Sequence, residues 1–277
     1  MRSNLFLLFN GFYRLIFVIF YFFSFCSCNF GQSYPTDTIN LSSIEDSLIT
    51  ALDSIEESNA IDTLQTALNF VCGPNYSATK KDIVKLRSSL MSRYNMISDS
   101  NKKLKFLDSI MQLFVANLLN EIIPYWYGTE WDFEGHTDIP NNGQIACGYF
   151  VSTTLKDMGL KLNRYRLAQA DPLTEARTLA IADTNLKKID IEDFNSLADF
   201  LDGIQEGLYF IGLDNHVGYF YKKGNKNYFI HSNYVDGKVM IELAENSLAF
   251  SSSNYYLTKI SLNREMALKW VSGKRIN

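Results

Sequence analysis

His216-Val-Gly-Tyr-Phe-Tyr221 and Tyr228-Phe-Ile-His-Ser-Asn-Tyr234 are two short runs dominated by aromatic and β-branched residues, with Gly224-Asn225 between them. Such runs around a glycine–asparagine pair predict a β-hairpin with a two-residue turn. The turn fixes the register: Lys223 faces Lys226, Gly218 faces His231 and His216 faces Asn233. Side chains alternate along a strand, so His216, Gly218, His231 and Asn233 project from one face. Diagonal neighbours on such a face lie roughly 7–8 Å apart, within reach of two rings. Either His231 or Asn233 can therefore accept the His216 ring N–H, and Gly218 leaves space between them. The chain has three histidines, so placing two of them here is a concentrated signal.

Working outward, Leu208–Leu213, Val239–Leu243 and Tyr255–Leu262 have the same strand character, and Gly, Asn or Asp residues separate them. The N-terminal half reads as helical. Apolar residues recur at helical spacing over Leu41–Glu57, Ile61–Val71 and Thr79–Met96. Leu104–Ile123 is apolar around most of its circumference, which predicts a helix buried on several sides and ended at Pro124. Phe150, Val151, Leu155 and Met158 form a stripe on a helix that opens at Cys147 and stops at Gly159. Ile191–Gln205 and Arg264–Val271 read as short helices, and residues 163–190 carry no clear period. Helices first and a strand meander later describe an α+β domain.

The first residues follow another plan. Arg2 and Arg14 flank a charged start, Leu15–Phe25 is an apolar run, and small residues follow around Cys26-Ser27-Cys28. That is the layout of a secretory signal over residues 1–28. Cys28, just after the apolar run, resembles the lipid-modified cysteine of bacterial lipoproteins. Expected localisation is therefore the cell envelope: exported, periplasmic or membrane-anchored, with membrane contact only through the N-terminal segment or a lipid on Cys28. A tether and helical region is expected over 29–101, and the main domain over 102–277. With a net charge of −4 and no basic face, a nucleic-acid partner is not expected.

Cys147 is the expected reactive group. At a helix N-terminus the free backbone N–H groups and the helix dipole favour a thiolate and can bind an oxyanion. Gly148 would let a substrate backbone approach. A thiol, a nearby imidazole and a third group to orient that imidazole make up a nucleophilic triad. A bridge between Cys72 and Cys147 would abolish this chemistry, and a free Cys147 is the expectation. No close-spaced ligand pair suggests a metal, and no cofactor is implied.

Tyr125-Trp-Tyr-Gly128, Ile145-Ala-Cys147-Gly-Tyr-Phe-Val-Ser-Thr-Thr-Leu, His216-Val-Gly-Tyr-Phe and Phe229-Ile-His231 together resemble the NlpC-type cell-wall cysteine peptidases of the papain-like superfamily. The resemblance covers about residues 104–262. It implies a papain-like domain with a helix-borne nucleophile packed on an antiparallel sheet, preceded by a small helical region. It implies Cys147 as nucleophile, His216 as base and His231 as orienting residue. Tyr125 would take the place of the family's tyrosine, with Gly148 and Asn233 in supporting positions. The implied substrate is an amide bond in peptidoglycan stem peptides or another peptide. Ala146 stands where the family has Asp, Gly148-Tyr149 replaces Ser-Gly, Thr129 replaces a glycine, and an insertion falls around Asp132–Gly143. These departures keep two other functions open: a catalytically inactive peptidoglycan-binding module, and an acyltransferase or transglutaminase-like enzyme with the same Cys–His pair. For the transglutaminase-like arrangement Asp236 is the alternative third residue.

Overall fold

The computed structural model describes residues 75–193 and 196–276. The expected signal segment, Cys28, Cys72, the tether and the first two helices lie outside the described residues. Seven α-helices are named here: α1 (Tyr76–Met96), α2 (Ser100–Asn117), α3 (Cys147–Asp157), α4 (Arg164–Ala168), α5 (Pro172–Ala180), α6 (Leu197–Asp202) and α7 (Arg264–Ser272). Among the described residues there are six strands: β1 (Leu186–Asp190), β2 (Gly207–Gly212), β3 (Val217–Lys223), β4 (Lys226–Asn233), β5 (Lys238–Leu243) and β6 (Asn254–Lys259). They form one sheet in the order β1-β6-β2-β3-β4-β5, and every pairing is antiparallel. The class is α+β.

Alternation along the central strands sends apolar side chains to both faces. Leu208, Phe210, Val217, Tyr219 and Ile230 join a core built with α1, α2, α3, α5 and α7. Tyr209, Ile211, Phe220 and Phe229 join a second core with α6 and the turns around Ala244–Phe250. Strands apolar on both faces belong to a covered sheet, and helices and turns on the two sides supply the cover.

The helix expected to be buried on several sides is more one-sided. Leu107, Ile110, Met111 and Phe114 of α2 are buried, whereas Leu104 and Leu113 are exposed. After Asn117 the chain changes to a π turn (Leu118–Ile122) and a 3₁₀ turn (Ile123–Trp126). Pro124 fits at the start of that last turn, where its missing N–H costs nothing. Helix α1, which the sequence reading assigns to the N-terminal helical region, buries Ile83 and Leu90 in the same core as α2 and α3.

Two contacts seat α3. Tyr219 on β3 points its hydroxyl at Thr154 Oγ1 (2.8 Å) and Val151 O (3.2 Å), which fixes the helix against the sheet. Gly148 lies against α4 so closely that a Cβ there would stand 2.5 Å from the Ala168 carbonyl oxygen. The expected use of Gly148 for substrate approach is therefore corrected. The close approach is made by the protein's own backbone, and Gly148 is buried. We expect Gly148→Ala to cost about 1–3 kcal/mol, as overpacked sites do, measured as a lower unfolding midpoint. An unchanged midpoint would show that α4 moves aside freely.

Candidate active site

The hairpin pairs as the turn dictates, from Lys223↔Lys226 to Tyr219↔Ile230, and there the β3–β4 ladder stops. On its other edge β3 stays paired to β2 as far as Gly212↔Val217. The Leu213 N–H bonds to the His216 carbonyl at 2.8 Å, so by antiparallel alternation the Val217 N–H points toward β4. With no strand partner there, that N–H is directed at the Cys147 sulfur, together with the N–H groups of Gly148 and of Cys147 itself. Cys147 is the first residue of α3 and carries a free thiol. Its loop is tied to β4 by Ser232 Oγ, which donates to the Ile145 carbonyl at 2.6 Å.

His216 precedes Val217 and is buried. The turn that presents it is pinned by the Asp214 carboxylate, which accepts from the Ser253 N–H (2.7 Å) and Asn254 Nδ2 (3.0 Å). His216 Nε2 lies 2.7 Å from His231 Nδ1. His231 Nε2 lies 2.8 Å from Glu242 Oε1 on β5. Ser247 Oγ also donates to Glu242 Oε1 at 2.6 Å. Phe229 stacks on the His231 ring at 3.9 Å between centroids and meets His216 edge-on. The two imidazoles thus lie on the sheet face opposite α3, as their partner Phe229 does. The sulfur comes to the open end of the ladder from the α3 face. Among the described residues, no hydrogen bond joins the sulfur to either nitrogen of His216; Val217 is the link between them.

Gly218 does not leave an empty space between the histidines. A Cβ there would stand 2.7 Å from Phe229 Cε2 and 2.9 Å from His231 Cβ, so those groups fill it. Asn233 is not the partner of His216. Its Nδ2 donates to Asp236 Oδ2 (2.7 Å) and Glu242 Oε1 (3.3 Å), and its Oδ1 accepts from the Val235 N–H (2.7 Å). The Tyr125 ring packs on Tyr76 at 5.0 Å and its hydroxyl faces Thr79 Oγ1 on α1, so it sits in the packing of that helix. Glu242 is the participant that sequence reasoning missed. Its signal lay in period two: with His231 opposite Met240, residue 242 shares the face of the imidazoles.

Electrostatics correct another expectation. Burial pushes the Cys147 thiol up to about 11, with Glu175 adding to the rise, and the three N–H groups offset only part of it. The helix start does not make a resting thiolate. Burial also holds His216 well below the ordinary imidazole range, and His231 is lowered by burial despite the nearby Glu242. Glu242 is lowered, because His231 and Ser247 outweigh its burial. Glu175 on α5 is buried with Oε1 unpartnered, and desolvation raises it well above the ordinary carboxylate range.

The segment between Tyr127 and Cys147 flanks the site. Gly128 and Trp131 donate backbone bonds to Val239 and Gly237, extending the β5 edge. Arg164, buried, donates to the His136 and Thr137 carbonyls and to Thr153 Oγ1 on α3, which locks the segment to the helix that Cys147 opens. Trp131 contacts the exposed Tyr234, whose ring meets His216 edge-on at 5.2 Å. Trp126, by contrast, is a core residue bonded to the Tyr76 hydroxyl. No cluster able to hold a metal ion occurs among the described residues. No protein-family model matches the chain, and no curated protein or solved structure does.

Two measurements check these electrostatics. Iodoacetamide reacts with the thiolate, so alkylation of Cys147 should rise about tenfold per pH unit from pH 7 to 10; a plateau near neutrality would mean a resting ion pair. Glu175 has a raised folded-state pKa, so its stabilising contribution is present below the unfolded value and lost as pH rises. Glu175→Gln should therefore gain stability relative to the parent above about pH 4.5, by up to about 1.4 kcal/mol per pH unit. A pH-independent difference between their melting curves would contradict the buried acid.

Proposed function

We propose that the chain is an exported cysteine hydrolase with a papain-like catalytic domain, cleaving an amide bond in peptidoglycan stem peptides. The observation that carries this reading is the hydrogen-bonded series His216–His231–Glu242, which ends one residue from the N–H that meets the Cys147 sulfur. The N-terminal segment, or a lipid on Cys28, would hold the protein at the cell envelope.

With a neutral thiol and a neutral imidazole at rest, attack proceeds by general-base catalysis. His216 takes the thiol proton as sulfur bonds to the amide carbon. Sulfur and ring make no hydrogen bond to each other at rest, so the transfer requires substrate binding to bring them together. Backbone N–H groups at the start of α3 stabilise the oxyanion. His216 returns its proton to the departing amine and then deprotonates the water that cleaves the thioester. The exposed ring of Tyr234 and the half-buried Trp131 packed on it border this place and favour a substrate with apolar or planar faces.

A second reading, an inactive peptidoglycan-binding module, is favoured by one observation: among the described residues the Cys147 sulfur makes no hydrogen bond to His216. Incubation with purified sacculi separates the two. The hydrolase releases peptides identified by mass spectrometry, and Cys147→Ala reduces release by at least about a hundredfold. Binding to sacculi without release by the parent protein would establish the module.

A further inference from the structure

We propose that Glu242 is a positioning residue whose carboxylate sets the proton polarity of both imidazoles and leaves His216 Nδ1 as the basic nitrogen. Two distances carry this. A carboxylate only accepts, so the 2.8 Å contact makes His231 Nε2 the protonated nitrogen. In the neutral ring His231 Nδ1 then carries the lone pair. The 2.7 Å contact makes it the acceptor of the His216 Nε2–H. His216 Nδ1 is left with the lone pair that can take a proton. The carboxylate is itself held by Ser247 Oγ at 2.6 Å and Asn233 Nδ2 at 3.3 Å.

The arrangement meets a specific need. When the Cys147 S–H bond breaks and sulfur keeps its electron pair, the proton passes to His216 Nδ1 and the ring becomes cationic. Its Nε2–H then leans toward His231 Nδ1, and His231 shares the positive charge. A neutral third imidazole stabilises that charge poorly. The carboxylate beyond it makes the stabilisation electrostatic. The groups facing His231 are His216 ahead of β3, Phe229 on its own strand, Glu242 on β5 and, at longer range, Asp236 in the β4–β5 turn. Asp236 is thus the second carboxylate whose influence must be separated.

Nitrogen-15 NMR of the histidine rings tests the assignment without requiring turnover, and exposed His136 serves as reference. Both His216 and His231 should show Nε2–H in the parent protein. In Glu242→Gln the His231 ring should titrate at lower pH than in the parent, and Asp236→Asn should shift it less. An Nδ1–H tautomer at His231, or a titration unmoved by Glu242→Gln, would overturn the proposal. The kinetic arm rests on the proposed hydrolase activity. There Glu242→Gln should lower kcat for peptide release from sacculi at least about tenfold with KM unchanged, and Glu242→Asp should restore part of it. Equal loss in kcat for Gln and Asp variants, with tautomers intact, would also overturn it. A parent protein that keeps the tautomers but releases nothing would instead sink the hydrolase reading alone.

Discussion

The site depends on the place where two strands part. Beyond Tyr219↔Ile230, β4 no longer pairs with β3, and the Val217 N–H turns to the sulfur. A backbone donor left unpaired in a buried position is costly, so it must find an acceptor. Here the acceptor is the thiol that α3 presents. The sulfur reaches this opening from the helix face of the sheet, while the imidazoles lie on the other face. Tyr219 and the close packing at Gly148 seat α3, and Ser232 ties the loop before it to β4.

Burial sets the chemistry of that place. A helix start alone would favour the thiolate, yet desolvation outweighs it, and Glu175 adds to the effect. The two histidines are likewise kept neutral. The resting site is therefore uncharged at sulfur and rings, while the Glu242 carboxyl is held in its charged form. In the proposed reaction charge would separate only as bonds change, and a preformed carboxylate at the far end would make that separation less costly.

Much of this was legible in the sequence. Gly224-Asn225 fixed the hairpin register, and the Cys147 helix begins and ends where its stripe and Gly159 place it. Strand β1 was not legible, since Ile189 is its only buried residue and a five-residue strand with one inward position has no detectable period. Helices α4 and α5 span 5 and 9 residues, too short for the helical period to stand out. Glu242 escaped notice because an acidic residue in an edge strand reads as solvated; only its register with His231 reveals it. The thiol's burial was hidden for another reason. It arises from packing against the main core, and Glu175 raises the thiol further, neither of which the linear pattern around Cys147 contains.

Acid-quenched intact-mass analysis during reaction with a peptidoglycan stem peptide tests the central claim most directly. The account predicts a transient acyl adduct on Cys147 that is lost when His216 becomes alanine. Product formed with no such adduct, or an adduct that accumulates just as fast without His216, would contradict it.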